Sequence, residues 1–424
     1  MSRSLVIFLM GAFVALHADA APRVITVNDA VAMAVKADPE LRAVMDQRAV
    51  LSSSLTAART HAFPTVTATS SYTHNGKLPI TTFAGRSVAI GAEDQMDVTG
   101  RVDQTIYSGG RITTEVDIAR LERNGGSLRL KSKENEIVAR AREACFEVIR
   151  ANALHKAAVT TLLSSQAHRK DAEARVRAGV AAGVEVIRAD VRVQEAALDE
   201  ASKRNRRDLS LSRLANYLGL PTTEQLALAD GFPDTDLQKP LDDPERHAIA
   251  SRPDLRAARL GAEADEGRVT VARSGYFPSL AAFGSVSYQD DETRSGDETW
   301  KLGLSGSWEI FNWGRTANQV DAARSKASAT RHTVRDMEDE VRLQVREASL
   351  QMATARESLK LAEARVKAAE EDLRISRLRF NEGVGIGTEV IDAESDLAQS
   401  NAAVINARAD YAVAQNRFWF VTGG

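Results

Sequence analysis

The chain has 424 residues, one cysteine and a formal net charge of -3. That balance argues against a nucleic-acid partner, and the single cysteine rules out an intrachain disulfide. The one basic cluster, Lys203-Arg204-Asn205-Arg206-Arg207, lies in a charge-rich helical pattern and reads as a solvated face.

In chain order, residues 1–20 read as a signal peptide. Arg3 gives the basic start, Leu5 to Leu16 a short apolar core, and Ala18-Asp19-Ala20 a small-x-small cleavage site. The mature chain is expected to begin near Ala21. No cysteine follows the apolar core, so no lipid anchor is expected. No later stretch is apolar over the roughly eighteen residues that a membrane helix needs, which leaves a soluble protein or a β-type membrane protein.

A first structural repeat is expected over residues 21–220. Helical periodicity runs over about 28–60, with Val27 and Asn28 suiting a staple and an N-cap. Phe63-Pro64 ends it, because proline lacks a donor and disfavours helix in the residue before it. Strand-like segments follow at about 64–73 and 97–107. After Gly109-Gly110 come a long helix over about 111–177, a glycine-broken turn at Ala178 to Gly183, and a helix over about 185–218. Residues 221–243 read as a connecting segment. Residues 244–424 read as a second repeat, with helices at about 254–274, 315–380 and 388–421 and strands at about 279–289 and 299–311.

The duplication rests on matched residues. Pro39-Glu40-Leu41-Arg42-Ala43 recurs as Pro253-Asp254-Leu255-Arg256-Ala257, and Phe63-Pro64 as Phe277-Pro278, at an offset of about 214. Tyr107-Ser108-Gly109-Gly110-Arg111 recurs as Phe311-Asn312-Trp313-Gly314-Arg315, at an offset of about 204, and Gly179 then matches Gly383. The first copy therefore carries roughly ten extra residues between its strands. A helix of roughly 65 residues extends about 100 Å and cannot bury itself in one compact domain. Ala144, Ala151 and Ala158, then Ala355, Ala362 and Ala369, repeat at heptad spacing and imply close coiled-coil partners. Cys145 lies in that pattern among Ala144, Phe146, Val148 and Ile149, and reads as a small buried apolar residue.

The strands decide the class. Trp300, Leu302, Leu304, Gly306, Trp308 and Ile310 alternate with Lys301, Gly303, Ser305, Ser307 and Glu309. One face is apolar with tryptophan near both ends, and the other is polar, as in a transmembrane β-strand with an aromatic girdle. Trp300, Trp308, Tyr72 and Tyr288 are the expected girdle. Four strands cannot close a barrel, and an open edge is not viable in lipid. Several copies must then share one barrel. Two give about eight strands and a filled interior, three about twelve and a water-filled lumen, which favours the trimer.

Ile25-Thr26-Val27-Asn28-Asp29-Ala30, the sequence Asp38-Pro39-Glu40-Leu41, and the turns around Gly179 and Gly383 together resemble the TolC-type outer-membrane efflux family. The likeness runs over nearly all of the mature chain. It implies an α+β membrane protein in which a duplicated β-hairpin and long coiled-coil helices form one protomer. A homotrimer would share a 12-stranded β-barrel in the outer membrane of a Gram-negative bacterium, continued by a periplasmic α-helical barrel. The implied function is the exit duct of a tripartite efflux or type I secretion system, passive in itself. Its implied partners are a periplasmic adaptor (membrane fusion) protein, an inner-membrane pump or ABC transporter, and outer-membrane lipid. The tip turns, with Gly179, Val180 and Gly183 in the first repeat and Phe380, Gly383, Val384, Gly385 and Gly387 in the second, would meet the adaptor. Glu389 and Asp392 match an acidic entrance ring of that family and share one helix face; the first repeat has Glu185 and Arg188 there. Some members latch the tip with a basic residue where Gly385 stands. With Phe380 as the nearby aromatic, closure here is expected to rest on packing.

No enzyme is expected, and no cofactor or metal. Gly383-Val384-Gly385-Ile386-Gly387 lacks the lysine of a phosphate loop and follows a helix rather than a strand. The seven histidines form no His-x-x-x-His pair. The alternative to a duct is a soluble periplasmic coiled-coil adaptor, which accounts for the helices but not for the paired strands.

Overall fold

A computed structural model describes residues 23–83, 85–89, 91–229, 231–232, 241–291 and 294–424. The expected signal peptide and much of the connecting segment lie outside the described residues. In chain order the elements are β1 (Arg23–Ile25), α1 (Val27–Ala37), α2 (Pro39–Thr60), β2 (Thr65–His74), β3 (Ile80–Phe83), β4 (Arg86–Ala89), β5 (Asp94–Tyr107), α3 (Arg111–Arg177), α4 (Val184–Tyr217), β6 (Leu226–Leu228), α5 (Pro244–Ser251), α6 (Pro253–Arg273), β7 (Ser279–Asp291), β8 (Arg294–Ser307), α7 (Arg315–Asn381) and α8 (Gly387–Val421). The chain divides into two units, each assembled from both repeats.

One unit comprises Pro39–Glu136, Leu237–Ala353 and Arg417–Gly424. It holds an antiparallel four-stranded sheet in the order β2-β5-β7-β8. The inner pair, β5 with β7, joins the two repeats, so β2 and β8 are left as the edges. The roughly ten extra residues of the first copy are the β3–β4 hairpin inserted between β2 and β5. The core of this unit packs Ala248 and Leu255 against Val341, Val345, Ala348, Phe418 and Val421. Gly126 of α3 lets α2 come close: a Cβ there would meet Leu51 at 2.6 Å.

The other unit comprises Met1–Asp38, Ile137–Asp236 and Thr354–Asn416, described from Arg23 onward. A parallel pair, β1 with β6, ties its N-terminal strand beside the segment after α4. The helices α3 and α4 form one hairpin and α7 and α8 the other. Ala151, Ala158 and Ala362 of the alanine repeat are buried, and so is Cys145.

Three expectations need correction. The first helix is not continuous over 28–60. Asp38 is extended (φ -63°, ψ 120°), as a residue before proline tends to be, and splits the segment into α1 and α2. The cap is Thr26 rather than Asn28: its side chain accepts from the Asp29 N–H while Asp29 accepts from the Thr26 N–H, a capping box. Last, β8 covers Arg294–Ser307, not 299–311. Its partner β7 begins at Ser279, opposite Ser307, directly after Pro278, which has no N–H to carry the ladder further. Trp308, Ile310 and Phe311 therefore follow the strand rather than end it.

Candidate functional site

The register turns the strand pattern into two surfaces. Ala68, Gly100, Val286 and Trp300 form one cross-strand row, and Val66, Val102, Gly284 and Leu302 the next. These rows lie on the same face as Leu304, and Trp300, Leu302 and Leu304 are 77%, 81% and 79% exposed. Large apolar side chains left this open form a surface that needs a non-aqueous neighbour.

The opposite face is polar and internally bonded. Arg101 donates to both carboxylate oxygens of Asp103 at 2.7 Å and stacks over the Phe283 ring at 4.8 Å. Phe283 fits because Gly303 lies opposite it, where a Cβ would come within 2.8 Å of the ring. Thr99 donates to Ser287 at 3.0 Å, across the joint between the repeats.

The four residues expected to form a girdle fall at two levels. Tyr72, Tyr288 and Trp300 lie in successive rows toward the hairpin end of the sheet, and Tyr72 donates to Asp94 at 2.5 Å. Trp308 is at the helix end, where its indole N–H donates to the Tyr276 carbonyl at 3.1 Å. Trp300 lies within β8, whereas Trp308 follows immediately after its end. The sequence reading missed how apolar the helix end is. Phe63, Phe277, Ile310, Phe311 and Trp313 are all exposed there, and Phe311 and Trp313 meet edge to face at 5.0 Å. Trp313 has φ 54°, and its repeat counterpart Gly109 has φ 61°. The signal was present in the aligned junctions, where Trp313 stands opposite a glycine.

The two helical turns share one backbone. Gly179 (φ 74°) and Gly383 (φ 75°) adopt the left-handed conformation that ends a helix. The following N–H groups reach back six residues inclusive: Val180 to the Arg175 carbonyl at 3.1 Å, Val384 to that of Arg379 at 3.0 Å. Val180 and Val384 are both exposed. Gly183 precedes α4 without a side-chain cap. A Cβ on Gly385 would meet the Arg379 Cβ and the Phe380 nitrogen at 3.1 Å, so a larger residue here fits only if those neighbours give by a few tenths of an ångström. A Cβ on Gly387 would lie 3.5 Å from the Phe380 ring. Phe380 packs on a small cluster of Leu373, Val390, Ala393 and Leu397, and the Arg175 guanidinium lies 4.1 Å above its ring.

The acidic pair is brought to one face but not to one environment. Glu389 lies 3.4 Å from Arg379 without a hydrogen bond between them, an electrostatic contact across the α7–α8 turn. Asp392, one turn on, is exposed. Five residues beyond Glu389, about one and a half turns on, is a node that sequence spacing did not reveal. One oxygen of Glu394 on α8 receives His168 Nε2 from α3 at 2.5 Å and the Arg377 guanidinium from α7 at 2.6 Å. The hydrogen bond to Glu394 raises the His168 pKa against the opposing effect of burial. Burial pushes the Glu394 pKa up, but hydrogen bonds from His168 and Arg377 outweigh it and leave the carboxyl below its usual range. Sequence spacing gives no hint of this node, because its members come from three helices.

Among the described residues no group of three or more His, Cys, Asp or Glu side chains is placed to hold a metal, and no helix is long and apolar enough to cross a membrane. A shallow groove between α6 and α7 includes Arg259, Glu266, Arg331 and Glu338 in its lining, and these form two ion pairs, Arg259–Glu338 and Arg331–Glu266.

A family model described as outer membrane efflux protein matches residues 30–220 and 246–424. The Brucella suis outer membrane efflux protein BepC is 27% identical over 169 residues, 40% of this chain and 37% of that protein. The Vibrio cholerae outer membrane protein TolC is 23% identical over 401 residues, 88% of this chain and 85% of that one. A crystal structure of CusC, described in terms of transmembrane channel formation, superposes with a TM-score of 0.82. It does so over 94% of this chain and 92% of that one at 16% identity, a likeness of fold.

Proposed function

The chain belongs to the outer membrane efflux protein family, a family of efflux proteins rather than of enzymes, and from that premise we propose that it is one protomer of a passive exit duct. The duct crosses the outer membrane and receives its cargo in the periplasm from an inner-membrane pump through an adaptor protein.

The observation that carries this reading is the two-faced sheet with open edges. Its apolar face suits lipid, and its Arg101–Asp103 face suits a water-filled lumen. In the order β2-β5-β7-β8 adjacent strands alternate in direction, so the two edges run in opposite senses. The β8 edge of one copy can thus pair antiparallel with the β2 edge of the next, and a ring of copies closes without leaving an edge in lipid. Three copies give about twelve strands and an open lumen, whereas two give about eight and a filled one. A soluble coiled-coil adaptor leaves the exposed Trp300–Leu302–Leu304 face without a purpose.

At the periplasmic end, Asp392 and Glu389 would form the entrance ring. Three-fold repetition of the exposed Asp392 carboxylate favours cations, while Glu389 is partly neutralised by Arg379. The turns with Val180, Gly183, Val384 and Gly387 would receive the adaptor, and Trp300, Trp308, Tyr72 and Tyr288 would mark the lipid boundaries. Residues 1–20 would direct export and be removed, with no lipid attached.

The test is conductance of the purified protein in planar bilayers, together with separation of inner and outer membranes. Outer-membrane recovery with discrete, cation-selective steps is expected. Recovery in the soluble fraction without conductance would overturn the duct and favour the adaptor.

A further inference from the structure

Resting on the duct reading, we propose that His168, Glu394 and Arg377 form a pH-sensitive tie that holds the two helical hairpins of a protomer together near their turns. His168 belongs to the α3–α4 hairpin, whereas Glu394 and Arg377 belong to the α7–α8 hairpin. A single Glu394 oxygen accepts from both, at 2.5 Å and 2.6 Å.

The internal duplication provides a control. At the offset of about 204 residues, Asp190 corresponds to Glu394 and Glu173 to Arg377. There Arg169 holds Asp190 at 2.8 Å and Glu173 at 3.1 Å, so the first hairpin is clamped within itself by a cation that never loses its charge. The second node instead takes one of its two donors from the other hairpin, and that donor is a histidine, the side chain whose ordinary pKa lies nearest neutrality. Another contact between the hairpins at this level, the Arg175 guanidinium over the Phe380 ring, involves no histidine.

The charges facing His168 are Glu394 on α8, Arg377 on α7 and Asp171 on its own helix. Glu394 and Asp171 favour the imidazolium and Arg377 opposes it; the balance raises the His168 pKa. A raised histidine pKa stabilises the folded tie fully below the unfolded value of about 6.5. That contribution is lost as pH rises through the higher folded value. Above it the imidazole is neutral: the ion pair with Glu394 is lost, and only a hydrogen bond from a neutral donor to the carboxylate remains. The hairpins should then separate more readily, and an entrance built from their turns should open more.

The experiment records single-channel conductance of the full-length trimer between pH 5.5 and 8.5, with thermal unfolding of the same preparations. Wild type is expected to spend on the order of threefold more time open at the alkaline end. His168→Gln should be open-leaning and flat across the range, and His168→Arg closed-leaning and flat. In unfolding, the gap between wild type and His168→Gln should be widest below pH 6.5 and narrow above it. Conducting channels in which His168→Gln keeps the wild-type pH profile would overturn the tie and leave the duct intact. Absence of conductance at every pH would overturn the duct. The tie then stands or falls on whether the unfolding gap depends on pH.

Discussion

The two repeats of this chain have the same backbone at their helical turns and different charges on it. Gly179 and Gly383 have φ values of 74° and 75°, and the same long-range backbone hydrogen bond closes each turn. Yet Glu185 and Arg188 in the first repeat become Glu389 and Asp392 in the second, and an arginine clamp becomes a histidine-bearing node. The strands differ in the same way. Ala68 and Gly100 share a row with Val286 and Trp300, so in that row the second repeat carries the bulky side chains. Backbone geometry is what the fold demands of both copies. The side chains that touch lipid, ions or the neighbouring hairpin are where the copies have diverged.

The comparison can be broken most forcefully at the sheet. Leu302→Arg places a charge on the apolar face and should cost about 2–4 kcal/mol, seen as loss of membrane-inserted trimer. Ser305→Arg, on the opposite face, should insert normally and change conductance instead. Equal loss from both would refute the assignment of faces. Next comes the backbone that the repeats share. Gly179→Ala and Gly383→Ala should each destabilise their hairpin by about 1–2 kcal/mol, and equally, because both force a side chain into the left-handed region. Thermal unfolding that separates the two variants widely would mean the turns are not equivalent.

Smaller effects should appear only in the second repeat. Asp392→Asn should lower cation selectivity several-fold, measured as a shift in reversal potential across a salt gradient, while Arg188→Gln leaves it nearly unchanged. The smallest effect sharpens the contrast between the two nodes. Arg169→Gln should cost about 0.5 kcal/mol or less, by the same amount at pH 6 and pH 8, because the clamp it breaks contains no histidine. A pH-dependent loss would erase the distinction from His168.

Much of this architecture was legible in the residues because it rests on local rules. Pro64 and Pro278 mark the starts of strands, Gly179 and Gly383 mark turns, and period-two alternation from Trp300 to Gly306 marks the apolar face. The break at Asp38 was also written in Pro39, but the helical pattern on both sides concealed it. The end of β8 was not legible, because it depends on Pro278 of the neighbouring strand and not on its own alternation. Among the site residues, Glu389 and Asp392 could be placed on one helix face from spacing alone. The pairing of Glu389 with Arg379 follows from the fold of the turn, and the meeting of His168 with Glu394, far apart in sequence, from the packing of separate helices. Likewise, the absence of a basic residue at Gly385 could be read, but the closeness of Arg379 and Phe380 to it could not.

The central claim is that copies of this chain share one barrel by pairing β8 with the β2 of a neighbour. Its most direct test is the mass of the mature, detergent-extracted protein by light scattering, after separation of outer and inner membranes. The account predicts three copies per particle, recovered from the outer membrane. A monomer or dimer recovered from the soluble fraction would contradict it.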